Sequence, residues 1–206
     1  ADVGNLDAHG RAVNHQWSKS SEFEGRLRAE LRRAVSAELD VFSLLRPLSE
    51  LAIAERFARS LRWDAVFSSC NRNFHLEGEG PAGRWCRDCP KCRFVFLALL
   101  PFLRRERLLA IFGGDLLDDP RQLEGFRELA GLAGHKPFEC VGETEEAAAA
   151  LALASLRWPW SETAVVKALE PELAPRRAEL LARFAAARRV GPAPFVPPAL
   201  YEAVAA

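Results

Sequence analysis

Four cysteines constrain this chain more than any other feature of its sequence. Cys86, Cys89 and Cys92 form a C-x-x-C-x-x-C run, and Cys70 lies sixteen positions upstream of Cys86. The C-x-x-C spacing lets two thiolates face one ion from a tight turn, and a third thiolate joins them from the next turn. Cys70 can supply the fourth vertex of a tetrahedron, and backbone N–H groups in the turns can bond the sulfurs. The spacing therefore predicts a closed metal site.

Structural zinc is the metal that the ligand type and spacing favour, and an iron–sulfur cluster is the alternative. The common ferredoxin run places its fourth cysteine downstream and before a proline. In this chain the fourth cysteine lies upstream, and Cys92 is followed by Arg93. Four unliganded thiols are the interpretation that the spacing supports least. Because a four-thiolate zinc site has no open coordination position, it predicts a structural role and does not by itself indicate catalysis.

Charge and cysteine content limit the partners that we expect. Lys plus Arg and Asp plus Glu are both 28, so the formal net charge is zero. A dedicated nucleic-acid binder usually carries a basic excess, so we expect no nucleic-acid partner. Five cysteines, four of them in a metal-like arrangement, indicate a reducing cytoplasm rather than a disulfide framework. The most apolar stretch, residues 94–103, is too short to span a bilayer, so we expect no membrane partner.

Apolar periodicity predicts a mainly helical chain with few short strands. The predicted helices cover residues 22–38, a segment after Pro47 that ends before Ser60, and residues 90–100, 104–112, 121–131, 144–157, 161–170 and 175–189. Three segments have other predicted structures: residues 1–20 a loop, residues 65–68 a short strand leading to Cys70, and the proline-rich end an extended tail.

Two short segments concentrate polar side chains. Residues 14–20 (NHQWSKS) precede a predicted helix, and free N–H groups at a helix start bind phosphate. The alternative is a polar loop with an ordinary serine cap, and composition alone favours this alternative. Residues 135–140 (HKPFEC) offer an imidazole, a carboxylate and a thiol that can be tuned into the acid–base range. Taken alone, a buried inert cysteine in a loop is the simpler interpretation there.

Three segments together resemble a known enzyme family. Residues 14–20 (NHQWSKS), 85–94 (WCRDCPKCRF) and 135–143 (HKPFECVGE) are similar to bacterial UDP-N-acetyl-α-D-muramoyl-L-alanyl-L-glutamate epimerases. The resemblance covers residues 1–156, and its first segment is shared more loosely with ATP-pyrophosphatase-type enzymes. It implies an α/β fold of the nucleotide α-hydrolase type in the intact enzyme, to which this chain contributes a predominantly α-helical part.

The resemblance implies an isomerase of peptidoglycan synthesis. The terminal L-glutamate of UDP-N-acetylmuramoyl-L-alanyl-L-glutamate would become D-glutamate, with ATP converted to AMP and pyrophosphate and with Mg²⁺ required. Adenylation would remove the negative charge of the glutamate carboxylate, so that a base can take the Cα proton. The site residues implied are Ser18, Lys19 and Ser20 for the nucleotide phosphates, and Cys140 with His135 or Glu139 for proton transfer.

One departure from the family bears on domain organisation. Such enzymes carry a glycine- and serine-rich pyrophosphate-binding loop, and the chain contains neither an SGGxDS-like string nor a methionine. We therefore expect a C-terminal portion whose partner is the missing N-terminal portion of the same protein. The expected regions are residues 1–69, the end of the nucleotide-binding domain; residues 70–142, a zinc-bearing helical region; and residues 143–206, C-terminal helices and the tail.

Two other functions stay open at this point. The first is an ATP-pyrophosphatase-type ligase or amidation enzyme that shares the zinc module. The second is a non-catalytic interaction module stabilised by zinc. The segment 135–143 separates the interaction module from the epimerase, because the epimerase should need these residues for turnover, whereas a zinc module should bind its partner without them.

Overall fold

A computed structural model describes residues 6–8, 11–14, 16–74, 80–134, 136–137 and 139–206. The described part is mainly helical, with one short two-stranded sheet, so the predominantly helical fold predicted for this chain is confirmed. No helix in these ranges is long and apolar enough to cross a membrane. The chain divides into two compact units: a first unit of residues 1–48 and 190–206, and a second unit of residues 49–189. The three regions predicted from the sequence stay a prediction.

The first unit contains a small hairpin and two helices. Its elements are β1 (Leu6–Ala8), β2 (Arg11–Val13), a 3-10 turn (Trp17–Lys19), α1 (Ser21–Ala34) and α9 (Pro198–Ala205). β1 and β2 pair antiparallel, with Leu6 opposite Val13. Residues 1–20 were predicted to be a loop, and this prediction is wrong for the two strands and the 3-10 turn, because three-residue strands are too short to show an alternating pattern.

The proline-rich end is the second correction in this unit. An extended tail was predicted, but α9 begins at Pro198 and continues to Ala205. Proline is favoured in the first turn of a helix, because its missing N–H would have no helical partner there and its φ angle is already suitable. The same residue type that suggested an extended tail therefore starts a helix.

The second unit contains seven α-helices within the described residues. They are α2 (Glu50–Ala58), α3 (Pro90–Leu99), α4 (Arg105–Phe112), α5 (Leu123–Leu129), α6 (Thr144–Ala154), α7 (Ala164–Leu173) and α8 (Arg177–Ala187). Each corresponds to a predicted helix, with differences of a few residues at the ends. Short 3-10 turns occupy Asn71–Phe74, Pro120–Gln122, Trp160–Glu162 and Ala174–Arg176.

The strand predicted for residues 65–68 is wrong. The N–H groups of Val66 and Phe67 both bond the carbonyl oxygen of Trp63, at 3.0 and 2.9 Å, so the chain turns at this point. Val66 is 64% exposed, whereas the ring of Phe67 packs edge-on against Phe57 and Trp85. Strand propensity depends on a partner strand to pack against, and none of the described residues pairs with this segment.

Helix α6 lies at the centre of the second unit. Residues 147–152 are each at most 1% exposed, so the helix is buried around its whole circumference. It packs against α3, α5, α7 and α8. Five of those six residues are alanine, and short side chains let neighbouring helices approach closely. At its start, Glu143 and Glu146 form a reciprocal cap, and Glu146 also accepts the Leu51 N–H at 3.2 Å, which connects α6 to α2.

Arg107 on α4 holds the turn that follows α2. Its Nε and Nη2 atoms donate to the two carboxylate oxygens of Asp64 at 2.6 and 2.9 Å. Its Nη1 atom donates to the carbonyl oxygen of Ala58 at 2.7 Å, and Nη2 also donates to that of Ser60. One guanidinium therefore bonds an acid and two carbonyl groups near the C-terminal end of α2.

We expect Arg107→Lys to lower the free energy of unfolding by about 1–3 kcal/mol, because an ammonium group cannot reproduce this planar set of contacts and leaves carbonyl groups unpaired. Urea unfolding followed by circular dichroism measures the change. Arg121→Lys is the matched control, since Arg121 is 86% exposed and its pair with Asp119 lies at the surface. That control should change the free energy by at most about 0.5 kcal/mol, and equal losses in both variants would contradict the assignment.

Candidate metal centre

The four predicted cysteine ligands lie together in the second unit. The Sγ atoms of Cys70, Cys86, Cys89 and Cys92 are all within 4.8 Å of one another. Cys92 Sγ lies 3.7 Å from that of Cys86 and 3.5 Å from that of Cys89. Sulfur ligands at about 2.3 Å from one tetrahedral ion are about 3.8 Å apart. The cluster can therefore hold one metal ion, and its ligand set is compatible with zinc.

The local backbone explains how four sulfurs converge. Cys70 precedes the 3-10 turn Asn71–Phe74, and Cys86 lies in the loop before α3. Cys89 is the N-cap of α3, and Cys92 lies in its first turn. Within the first C-x-x-C turn, Arg87 has a φ of 61°, in the left-handed region that few non-glycine residues adopt. This left-handed residue turns the chain back so that Cys89 faces Cys86.

Backbone amides point at all four sulfur atoms, as the sequence predicted. The donor and acceptor pairs are Cys86 N–H to Cys70, Asp88 N–H to Cys86 and Cys92 N–H to Cys89, each at 3.4 Å, and Arg87 N–H to Cys92. Hydrogen bonds to the charged form favour ionisation of a thiol, and such contacts orient metal ligands. The loop is thus arranged to hold thiolates.

The pKa values of the clustered thiols differ, because ionisation of one thiol disfavours ionisation of its close neighbours. Donation from the Cys92 thiol and from backbone N–H groups lowers the pKa of Cys89 to about 4. Bonding to Cys89 raises the pKa of Cys92, and burial raises that of Cys86. One thiolate therefore opposes the ionisation of its neighbours. A divalent cation among the four sulfurs removes that repulsion and favours deprotonated ligands throughout.

Aromatic side chains shield the cluster from solvent. Cys70 and Cys92 are fully buried, and Trp85, next to Cys86, is only 5% exposed. The Trp85 ring lies 4.4 Å from that of Phe112 and 5.3 Å from that of Phe67, measured between ring centroids. We call Cys70 and residues 85–92 together the metal loop. This metal loop is part of the hydrophobic core rather than an appendage on its surface.

Two of the three predicted proton-transfer residues lie against this metal loop. Glu139 Oε2 accepts a hydrogen bond from Asn71 Nδ2 at 2.6 Å, and the Lys91 Nζ atom donates to the carbonyl oxygen of Cys140. Burial raises the pKa of Glu139, and the negative charge of Cys89 adds to that rise. The Cys140 side chain is exposed. His135, the third predicted residue, lies outside the described residues.

The predicted phosphate-binding residues belong to the first unit. Ser18 and Lys19 are exposed in the 3-10 turn before α1. Ser20 is 4% exposed, and its Oγ atom accepts the Phe23 N–H at 3.1 Å while donating to the Trp17 carbonyl oxygen at 2.6 Å. Ser20 is therefore the N-cap of α1. The phosphate-binding role of the three residues stays a prediction.

Sequence reasoning missed Asn71 and Lys91, which connect the metal loop to residues 139–140. A signal was present, because Asn71 directly follows the ligand Cys70, and Lys91 lies between the ligands Cys89 and Cys92. Polar side chains next to metal ligands commonly orient those ligands or their neighbours. What the sequence does not reveal is which distant segment they contact.

These observations define a mainly helical protein with a largely buried four-cysteine cluster, next to which the Glu139 carboxylate and the Cys140 backbone are held. Residues 66–183 match the family model described as the MurL C-terminal domain, and residues 1–44 match that of the MurL N-terminal domain. The chain belongs to the MurL family. The resemblance to the epimerase family noted from the sequence is thereby confirmed.

Curated relatives of the chain are named as epimerases. The chain is 50% identical over 200 residues to the UDP-N-acetyl-α-D-muramoyl-L-alanyl-L-glutamate epimerase of Xanthomonas oryzae pv. oryzae, an alignment that covers 94% of the chain and 43% of that relative. It is 56% identical over 165 residues to the enzyme of that name from Salinispora tropica, covering 80% of the chain and 36% of the relative. The chain thus spans less than half the length of these relatives. No solved structure shows a significant match.

We expect Cys86→Ser to reduce metal affinity by at least about 100-fold, because it removes a ligand rather than a supporting group, whose loss typically costs 10–100-fold. Elemental analysis measures the metal content, which should be about one equivalent in the unsubstituted chain. Competition with a chromophoric chelator measures the metal affinity of both chains. Thermal stability should fall together with metal content, since structural metal binding is largely folding free energy.

Cys140→Ser is the matched control for that measurement. Cys140 is the remaining cysteine of the chain and is not part of the four-sulfur cluster. This variant should keep the metal and the thermal stability of the unsubstituted chain. Equal metal loss in both variants would contradict the ligand assignment.

Proposed function

We propose that this chain is part of an epimerase that converts the terminal L-glutamate of UDP-N-acetylmuramoyl-L-alanyl-L-glutamate to D-glutamate for peptidoglycan synthesis. The observation that carries the proposal is the 50% identity over 94% of the chain to a relative named for this reaction. Because the chain covers 43% of that relative, we propose that other parts of the active site come from a further portion of the same polypeptide.

Chemistry explains why such an epimerase would need ATP and Mg²⁺. A Cα–H next to a carboxylate is a very weak acid, because its carbanion would adjoin an existing negative charge. Adenylation replaces that charge by a neutral acyl group into which the carbanion can delocalise. Mg²⁺ would neutralise the triphosphate and the pyrophosphate that leaves. Hydrolysis of the adenylate would then release AMP and the free acid.

Glu139 and Cys140, with His135, are the proposed proton-handling groups. Inversion requires a proton to leave one face of the Cα atom and to return to the other. Burial raises the pKa of Glu139, and a carboxyl group with a perturbed pKa supports a role in proton transfer. The exposed thiol of Cys140 is the next side chain along the segment, so it is accessible to a substrate.

The nucleotide would bind near the start of α1 in this proposal. Ser18 and Lys19 supply a hydroxyl group and a positive charge in the turn before that helix, where the helix dipole favours phosphate. Ser20 would act indirectly, because its hydroxyl group caps the helix. We therefore assign phosphate contact to Ser18 and Lys19 and support of the helix start to Ser20.

Zinc is the metal that we propose for the four-cysteine cluster. Thiolates on different irons of a cluster would be spread further apart than ligands of one ion, and here all four sulfurs lie within 4.8 Å of one another. With all four positions filled by the protein, such an ion would have none open for substrate. Its proposed role is therefore to support the fold.

Epimerase activity can be tested with a polypeptide that spans the full length of the relatives and includes this chain. With ATP, Mg²⁺ and UDP-N-acetylmuramoyl-L-alanyl-L-glutamate in D₂O, we expect AMP release, deuterium at the glutamate Cα atom and D-glutamate in the product. Deuterium enters because proton removal and return exchange with solvent. Mass spectrometry and chiral analysis of the hydrolysed product measure these outcomes.

Other results would identify other functions. AMP release without deuterium at the Cα atom would favour a ligase or amidation enzyme. The absence of any nucleotide turnover would favour a zinc-stabilised interaction module. Either outcome would overturn the proposed epimerase reaction.

We expect Cys140→Ala and Glu139→Gln each to lower the rate of Cα deuterium exchange by about 10²–10⁴-fold, the usual contribution of a general acid or base. AMP release should persist in both variants, because adenylation precedes proton transfer. Glu124→Gln, at an exposed acid on α5, is the control and should exchange at the unsubstituted rate. Full exchange in Cys140→Ala would remove Cys140 from the mechanism.

A further inference from the structure

Asn71 adjoins the metal-ligand cluster and contacts the candidate proton-transfer pair. Its side-chain Nδ2 donates to Glu139 Oε2 at 2.6 Å. It directly follows Cys70, so its backbone is fixed by that ligand. A single residue thus joins a ligand of the cluster to the carboxylate of a segment 68 positions away.

Residues from the start of α3 contact the same segment. The Lys91 Nζ atom bonds the Cys140 carbonyl oxygen. A Cβ atom on Gly142 would lie 2.1 Å from the ring of Phe94, so only glycine allows this approach. Glu139, Cys140 and Gly142 are therefore contacted by Asn71, Lys91 and Phe94 in turn, and the first two of these adjoin metal ligands.

The segment has little regular structure of its own. Its internal hydrogen bonds are short-range: Glu139 N–H to the Pro137 carbonyl oxygen at 2.8 Å, and Val141 N–H to that of Glu139 at 2.9 Å. Helices and sheets fix a backbone through repeated hydrogen bonds, and these residues belong to neither. External contacts must then fix the direction of the Glu139 side chain.

We infer that Asn71 is a positioning residue, which uses its place next to the ligand Cys70 to hold the Glu139 carboxylate in one geometry for proton transfer. The inference rests on the proposed function for what the Glu139–Cys140 pair does. The contact itself is independent of that function. Asn71 does not touch the reacting atoms in this view, so it acts through Glu139.

Hydrogen–deuterium exchange of the metal-loaded chain tests the positioning directly. We expect Asn71→Ala to accelerate amide exchange in residues 139–142 by about 10-fold, the effect of removing one hydrogen bond to a charged group. Zinc content should stay at about one equivalent, because all four sulfur ligands are retained. Exchange in α8 should not change, since that helix is distant in the sequence and packs chiefly against α6.

Asn73→Ala is the matched control, because Asn73 lies on the same 3-10 turn and its Nδ2 atom instead bonds Ser68 Oγ and the Arg84 carbonyl oxygen. This variant should leave exchange in residues 139–142 unchanged. Unchanged exchange in Asn71→Ala, or equal acceleration in Asn73→Ala, would overturn the inference. If Asn71→Ala loses zinc, Glu139→Ala breaks the same contact from the other side, and it must accelerate exchange at residues 140–142 with zinc retained.

Turnover by a polypeptide of the relatives' full length separates positioning from general stability. Asn71→Ala should lower kcat for Cα deuterium exchange by about 10-fold with an unchanged KM, because substrate binding does not involve Asn71. A rise in KM with an unchanged kcat would overturn the positioning role. If the unsubstituted polypeptide shows no Cα exchange at all, the proposed function fails, whereas the amide-exchange result still decides whether Asn71 holds the segment.

Discussion

The second unit depends on bringing four cysteine sulfurs within 4.8 Å of one another. Thiolates at this distance repel strongly inside a protein, where the effective dielectric constant is low. Backbone N–H groups directed at each sulfur offset part of that repulsion, and a divalent cation offsets most of the rest. These contacts favour one compact arrangement of the loop before α3. They fix the backbone of the loop in place of the repeated hydrogen bonds of a helix or strand, which the loop lacks.

Helix α3 transmits this constraint to the core. Its N-cap and first turn supply Cys89 and Cys92, and its following turns supply the fully buried Phe96 and Leu97. α3 packs against α2, α4, α5 and the alanine-rich α6. Because one short helix belongs to both the metal loop and the core, a change at the sulfurs alters the position of core side chains. A metal ion bound at this cluster would for this reason contribute to the folding free energy together with core packing.

The sequence was sufficient for features that follow from local spacing. The C-x-x-C-x-x-C run predicted the sulfur cluster, and apolar periodicity predicted all seven helices of the second unit within the described residues. Predictions failed where tertiary context decides the outcome. Val66 and Phe67 have strand propensity but no partner strand in the part of the chain that the structure describes, and Pro198 starts a helix instead of extending a tail. The bond from Asn71 to Glu139 joins residues 68 positions apart, and no local pattern encodes such a pair.

A metal site with no open coordination position can still affect catalysis by restricting the motion of residues near it. General acid–base catalysis requires a carboxylate to stay within hydrogen-bond reach of one proton. Glu139 lies in a segment outside any helix or strand, so its own backbone does not supply that precision. In the proposed mechanism the Asn71 side chain, which adjoins a metal ligand, supplies that precision instead. We therefore expect a change in the sulfur cluster to reach the Glu139 carboxylate through Asn71.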